Sequence, residues 1–194
     1  MQTLLAWDKA LFGFLNSGFH NSFLDWLMPV ITNFSYFRIP FFLALVALFI
    51  WGGKKGRWLV ILGVIGVGLA DFTAHQFLKP LFTRPRPCHE LENVRLLIGC
   101  GGFYGFPSNH ACNFFGTATF FAYFYRKVGI ALFGLAFLVG WSRIYVGVHY
   151  PLDVIGGAIW GMLLAILVIL LAKLPFKEKL NQALGKIPKF SPPS

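Results

Sequence analysis

The chain is built from long apolar runs separated by short polar stretches. Residues 3–17 form an amphipathic stretch with Trp7 among its apolar residues, which predicts a helix lying at a membrane interface. Further apolar segments follow it, and each predicts a membrane-crossing helix, although the first contains Asp25 and is the weakest. They cover residues 22–35, 37–53, 58–79, 107–125, 128–146 and 151–172. The pattern therefore predicts an all-α fold, a polytopic bundle of about six transmembrane helices with an N-terminal interfacial helix.

Composition supports a membrane protein with a single domain. Of the 194 residues, 57% are hydrophobic and 12% are charged, whereas an ordinary soluble domain carries about 25% charged residues. The net charge of +10 raises the question of a nucleic-acid partner. The basic residues are scattered between apolar spans, however, so they indicate membrane topology rather than a track for a phosphate backbone. We expect one membrane-embedded domain over residues 1–194, in contact with the lipid bilayer and without an evident obligate protein partner.

Lys and Arg residues predict how the chain is oriented. They gather away from any candidate catalytic group at residues 54–57, at residues 126–127 and in the basic tail, 173–194. With six spans these stretches fall on one side, which the positive-inside rule assigns to the cytoplasm. Both termini are then cytoplasmic, and the long loop 80–106 and the turn 147–150 face outward together. The expected location is a bacterial-type cytoplasmic (inner) membrane, with any site on the extracytoplasmic face. Prolines in the tail argue against a long stable helix there.

The densest group of polar residues lies in residues 142–153. Pro151 predicts a helix, a short turn and a second helix, and the i, i+4 spacing brings Asp153 within reach of one imidazole nitrogen of His149. A carboxylate that holds one nitrogen leaves the other basic, which is the arrangement used in nucleophilic catalysis. Arg143 adds a planar guanidinium suited to phosphate oxygens. A charged turn at a membrane surface would explain this stretch alone equally well.

Two further polar clusters lie on the same predicted face. Lys79, Arg84 and Arg86 crowd beside stiff prolines, which favours binding of an anion, although a snorkelling interfacial cluster is the alternative. Residues 107–110 indicate a helix N-terminus, whose free N–H groups attract phosphate. His110 there is placed to donate a proton to a departing oxygen, whereas a capped helix with an incidental histidine is the alternative. Because all three clusters reach one membrane surface, a shared site is favoured.

Together the three clusters resemble the signature motifs of the type 2 phosphatidic acid phosphatase family, a pattern shared by vanadium haloperoxidases. The matching residues are Lys79 with six residues before Arg86, then Pro107-Ser108-Asn109-His110, then Arg143 with five residues before His149 and three more before Asp153. The motifs and their spans cover about residues 20–172. One position departs, since the family has Gly where this chain has Asn109. Asn tolerates positive φ better than most residues, so we expect the site to be retained.

The resemblance implies a metal-independent phosphatase without a cofactor, with vanadate as an inhibitor. By the family pattern His149 attacks phosphorus to form a phosphohistidine, Asp153 orients it, and His110 protonates the leaving group and then activates water. The remaining motif residues would hold the phosphate oxygens: Lys79, Arg86, Ser108, Asn109 and Arg143.

A site at the membrane surface favours a lipid phosphate or diphosphate as substrate. Undecaprenyl diphosphate is the first choice by family analogy, followed by phosphatidylglycerophosphate, phosphatidic acid and the 1-phosphate of lipid A. A lipid phosphotransferase would use the same site with a lipid hydroxyl in place of water. A small proton-coupled permease is a remote alternative, because Asp71, His75 and Lys79 lie inside one span. These three residues are better explained as a polar face that supports Lys79.

The cysteines suggest one covalent link. Cys88 and Cys100 bracket part of the long loop, while Cys112 lies within the fourth span. If the loop faces an oxidising compartment, Cys88 and Cys100 are positioned to form a disulfide, with two unpaired thiols as the alternative. The disulfide would restrain the segment that carries Arg95 beside the entrance of the site.

Overall fold

The computed structural model describes residues 2–18 and 20–184, with side chains described for residues 3–18 and 20–173. This part of the chain is helical and contains an isolated β-bridge but no β-strand, so the all-α prediction is confirmed. The helices are α1 Gln2–Ser17, α2 Ser22–Thr32, α3 Arg38–Trp51, α4 Gly53–Thr73, α5 Lys79–Phe82, α6 Pro87–Glu90, α7 Asn109–Phe124, α8 Arg126–Tyr145 and α9 Pro151–Leu184. A 3-10 turn, Phe34–Tyr36, precedes α3, and a π-helical turn, Ala74–Leu78, joins α4 to α5.

Three continuous stretches are long and apolar enough to cross a membrane: Gly53–Phe82, Arg126–Tyr145 and Pro151–Lys173. Helices α2 and α3 are apolar but shorter, and α7, with 16 residues, packs in the centre against α4, α8 and α9. The chain is therefore an integral membrane protein. The count of about six spans stays a prediction for the shorter helices.

Several helix ends differ from the sequence prediction. The first apolar segment ends at Thr32 rather than at residue 35, because the side chain of Asn33 caps the following 3-10 turn by accepting from the N–H of Ser35. The third begins at Gly53 and continues past Lys79, since a π-helical turn accommodates an extra residue without ending the helix.

The expectation that prolines prevent a long helix in the tail is wrong for its first part. Helix α9 runs from Pro151 to Leu184 and passes through Pro175. A proline inside a helix removes one backbone hydrogen bond and favours a kink, yet the remaining bonds of a long helix persist on both sides. The other tail prolines, Pro188, Pro192 and Pro193, lie outside the described residues.

The core that positions the site is formed where α4, α7 and α9 meet. Its buried side chains are Leu59, Leu62, Phe120, Phe124, Ala165, Val168 and Ile169. Helices α7 and α9 approach closely at Gly161, where an added Cβ would lie 2.1 Å from the carbonyl oxygen of Cys112. Such close packing fixes the N-terminal end of α7, which carries His110, against the N-terminal end of α9, which follows His149.

Basic residues group at the other end of the bundle. The Lys55 ammonium lies 4.4 Å from the ring centre of Tyr125, and the Lys173 ammonium lies 4.7 Å from that of Tyr123. The stretch 54–57, the turn 126–127 and the start of the tail therefore meet at one end. Because α7 is about 24 Å long at 1.5 Å per residue, this end is well separated from the motif residues, as the predicted topology requires.

Candidate active site

The three motifs converge on one cavity of about 460 Å³. Six of the eight predicted catalytic and phosphate-binding residues line it: Lys79, Arg86, Asn109, His110, Arg143 and His149. The other two, Ser108 and Asp153, are fully buried beside the cavity, and the N–H of Ser108 donates to the carbonyl oxygen of Asp153 at 2.9 Å. Residues that are up to 74 positions apart in sequence therefore share one site.

His149 and Asp153 form a buried pair at the turn between α8 and α9. Nδ1 of His149 lies 3.4 Å from Oδ2 of Asp153, and the same oxygen accepts the Tyr150 N–H at 3.0 Å. Gly147 makes this turn with φ of 88°, a left-handed conformation that favours glycine. Since Nδ1 is engaged by the carboxylate, Nε2 is the ring nitrogen left for the cavity.

The environment keeps the His149 imidazole neutral. Burial, followed by the positive charges of Arg143, Arg86 and Lys79, lowers the pKa of His149 well below 6.5. A neutral imidazole has the lone pair that a nucleophile needs, whereas an imidazolium has none. The cluster of cations that can hold a phosphate therefore also favours the neutral form of the neighbouring histidine.

His110 and Arg143 share Thr32 as a partner. Nε2 of His110 lies 3.2 Å from the Thr32 carbonyl oxygen, which requires a proton on Nε2 and leaves Nδ1 as the basic nitrogen. Nη1 of Arg143 donates to Oγ1 of the same threonine. Thr32 is buried at the end of α2, in a segment that carries no motif. Its position therefore follows from the fold and not from any sequence pattern.

The arginines of the cavity keep unused donors, whereas backbone carbonyl oxygens occupy the donors of Lys79. The Lys79 ammonium donates to the carbonyl oxygens of Pro107 at 2.9 Å and Tyr104 at 3.3 Å. Nε of Arg86 and Nε of Arg143 are buried without a hydrogen-bond partner, as is Oγ of Ser108. Buried polar groups without partners are rare in folded proteins, and phosphate oxygens would satisfy donors of this kind.

Arg84 does not join the other cations, so the expectation that all three crowd around one anion is wrong. Its guanidinium pairs with Asp8 of α1 and with Asp153, the latter at 2.9 Å. Two carboxylates therefore compensate its charge. Asp8 is itself buried, in a helix whose other face is apolar and exposed.

Asn109, the position that departs from the family pattern, sits without backbone strain. Among the described non-glycine residues only Thr83 has positive φ, so Asn109 needs no left-handed conformation. Its amide donates to Oδ1 of Asp71 at 2.9 Å, and the Asn113 amide donates to the same oxygen at 3.0 Å. Asp71 thus anchors α7 to α4, and the two amide donors supply the hydrogen bonds that a carboxylate within a membrane span needs.

His75 also lines the cavity, although no motif includes it. It belongs to the π-helical turn, and such turns shift the direction of side chains relative to a regular α-helix. His75 lies four residues before Lys79 and is predicted to share a polar face with it, and the structure places both residues on the cavity wall.

The long loop is closed by a disulfide between Cys88 and Cys100. Arg95, within the closed loop, pairs with Asp25 of α2 and its guanidinium lies 5.3 Å from the ring centre of Tyr145. It is therefore turned toward α2 and not toward the entrance of the cavity, contrary to expectation.

Comparisons with known proteins agree with this geometry. The PAP2 superfamily pattern matches residues 56–176. Over 166 residues the chain is 34% identical to lipid A 4'-phosphatase of Bacteroides thetaiotaomicron, covering 79% of this chain and 72% of that protein. It is 31% identical to undecaprenyl-diphosphatase BcrC of Bacillus subtilis over 150 residues, covering 76% and 75% respectively.

A solved structure is also similar. The PAP2-type phosphatidylglycerolphosphate phosphatase of Bacillus subtilis superposes with a TM-score of 0.70 and 26% identity, covering 98% of this chain and 90% of that one. The match extends over the helices that carry all three motifs. The chain therefore belongs to the PAP2 superfamily, as the resemblance predicts.

Proposed function

We propose that this PAP2 protein is a membrane lipid phosphatase and that its preferred substrate is undecaprenyl diphosphate. Relatives named lipid A 4'-phosphatase and undecaprenyl-diphosphatase support a lipid phosphate or diphosphate as the substrate class. The observation that carries the proposal is the meeting of His110 and His149 with three cationic side chains around one cavity. The competing permease hypothesis loses its motivation, because Asp71 accepts two amide hydrogen bonds instead of forming a proton relay.

The reaction has two displacements at phosphorus. Nε2 of His149 attacks, the bond from phosphorus to the leaving oxygen breaks, and protonated His110 gives that oxygen its proton. His110, now neutral, takes a proton from water as the water oxygen attacks the phosphohistidine and the P–N bond breaks. Lys79, Arg86 and Arg143 stabilise the charge that spreads over the phosphoryl oxygens.

We further propose that the reaction needs no metal ion. The cavity wall offers cations and imidazoles instead of the carboxylates that Mg²⁺ prefers. Activity in EDTA is expected to equal that in buffer, and vanadate is expected to inhibit competitively because it mimics the phosphoryl group in transfer. Phosphate release with and without each reagent tests this. Loss of activity in EDTA that added Mg²⁺ restores would contradict it.

Phosphate release also tests how the protein is oriented in the membrane. We place six segments across a bacterial-type inner membrane, with both termini cytoplasmic and the cavity extracytoplasmic, supported by the basic residues at the opposite end of the bundle. Sealed spheroplasts should then hydrolyse a short-chain lipid phosphate supplied from outside. Hydrolysis that begins only after the cells are lysed would place the cavity on the cytoplasmic face.

A backbone amide at position 109 is proposed to bind a phosphate oxygen. Asn109→Pro removes this N–H at the first residue of α7, where proline is tolerated, and Ser108 already has the extended backbone that proline requires. We expect kcat to fall about 10²-fold, whereas Asn109→Gly, which keeps the N–H, should stay within about threefold of wild type. Steady-state kinetics in detergent measure both. Equal activity of the two variants would rule out the amide.

A further inference from the structure

Helix α1 presents two different faces. Its outward face is apolar and exposed, with Leu4, Trp7, Leu11 and Phe14 available to lipid. On its inward face a buried residue recurs every four positions: Asp8, Phe12 and Asn16 are 4%, 2% and 1% exposed. Burying a carboxylate and an amide is costly unless each has partners. The partners of this inward face therefore show what α1 holds in place.

The inward face of α1 lies along the turn that carries His149. Asn16 donates to the Tyr145 carbonyl oxygen at 2.7 Å, at the last residue of α8. The Phe12 ring packs edge-on against Tyr150, with ring centres 5.3 Å apart. Helix α1 therefore contacts the residues on both sides of this turn.

Asp8 makes the contact closest to the chemistry. Its Oδ1 accepts the Leu152 N–H at 2.9 Å, in the first turn of α9. Its Oδ2 accepts from Nη2 of Arg84, and Nη1 of Arg84 donates to Oδ1 of Asp153 at 2.9 Å. The other oxygen of Asp153 faces Nδ1 of His149. Ion pairs and a final hydrogen-bond contact thus link α1 to the His149 imidazole without a break.

Arg84 is suited to position Asp153 and not to bind substrate. It is absent from the cavity wall, and its plane lies over the Tyr150 ring, 4.3 Å from the ring centre. Asp8 occupies one side of its guanidinium, which leaves the other side fixed toward Asp153. Without Asp8, Arg84 would keep a single carboxylate partner and would be free to turn.

We propose that Asp8 is a positioning residue for phosphoryl transfer, acting through Arg84 on Asp153 and so on the orientation of His149. The proposal rests on the proposed role of His149 as nucleophile. It assigns α1 a function beyond membrane attachment, because the helix whose outer face meets lipid also sets the geometry of the catalytic pair. A plain structural ion pair is the competing explanation, and it predicts a loss of stability with no selective effect on turnover.

The test compares Asp8→Asn, Arg84→Gln and the double variant by steady-state kinetics in detergent. Asp8→Asn keeps a carbonyl oxygen for the Leu152 N–H but loses the charge that holds Arg84. We expect kcat to fall about 10-fold or more in each single variant, with KM within about twofold because neither residue lines the cavity. The kcat of the double variant should be no lower than that of the less active single variant, since both residues act through one chain of contacts.

Lys9→Gln is the matched control. Lys9 is the next residue of α1 and pairs with Glu90 at the surface, its side chain 41% exposed. The Lys9→Gln variant should retain the kcat and the thermal unfolding midpoint of wild type. If Asp8→Asn does not fold, Arg84→Lys replaces it, because lysine keeps the charge but lacks the planar guanidinium that bridges two carboxylates; its kcat should fall by a similar factor.

Two results would overturn the proposal. One is an unchanged kcat in folded Asp8→Asn or Arg84→Lys protein. The other is multiplicative loss in the double variant, which would mean that the two residues act independently. A wild-type protein that releases no phosphate from any lipid would instead overturn the proposed function, so the two failures are distinguishable.

Discussion

Replacing His149 with alanine is expected to reduce phosphate release by about 10⁴-fold or more, the loss seen when a covalent nucleophile is removed. The imidazole is neutral, buried and held at Nδ1 by Asp153. Two other imidazoles line the same cavity, those of His75 and His110, and of these two only His110 belongs to a motif. His110 is held at Nε2 by the Thr32 carbonyl and is not oriented by a carboxylate. It should therefore not replace the nucleophile.

The measurement is free phosphate released in detergent from a panel of lipids: undecaprenyl diphosphate, phosphatidylglycerophosphate, phosphatidic acid and lipid A. His20→Ala is the matched control, because His20 is exposed and contacts only the Ser17 carbonyl among the hydrogen bonds described for its ring. It should retain full activity. Retained release by His149→Ala with the substrate that wild type prefers would refute the assignment. A phospholipid product in place of free phosphate would identify a phosphotransferase.

Replacing His110 with alanine is expected to have an effect that depends on the leaving group. With a lipid phosphate the departing oxygen needs a proton, so turnover should fall about 10³-fold, within the usual range for general acid catalysis. With 4-nitrophenyl phosphate the departing oxygen is stable as an anion. The first displacement should then be nearly normal, and only the attack by water should remain slow.

Rapid-mixing kinetics of nitrophenol release test this prediction. The His110→Ala variant should show a burst of about one equivalent per active site, followed by slow turnover, because the phosphoenzyme forms faster than it is hydrolysed. His89→Ala, at an exposed histidine of α6 that stacks on Phe103, serves as the control. Equal losses with both substrates and no burst would mean that His110 is not the acid and base.

Sequence alone locates much of the site, because the decisive relations are local. The spacing of His149 and Asp153 is four residues, and the structure places them in contact through one turn. Topology deduced from the basic stretches brings the three motifs to one end of the bundle, and the cavity there is lined by residues from each motif. Helical periodicity and charge counting suffice for relations of this kind.

The supporting residues could not be predicted, since their partners lie far away in sequence. Asp8 and Arg84 are 76 residues apart, and Thr32 and Arg143 are 111 residues apart. An amphipathic pattern shows that α1 has an inward face, but not which buried group that face will meet.

The most direct test of the central claim is to trap the covalent intermediate. Wild-type protein is mixed with a substrate radiolabelled at the scissile phosphate, quenched in alkali within the first turnover and digested for mass spectrometry. We predict acid-labile, alkali-stable phosphate on the peptide that contains His149, and its accumulation in His110→Ala when labelled 4-nitrophenyl phosphate replaces the lipid. Phosphate on a different residue, or turnover of the lipid with no protein-bound phosphate in either protein, would contradict it.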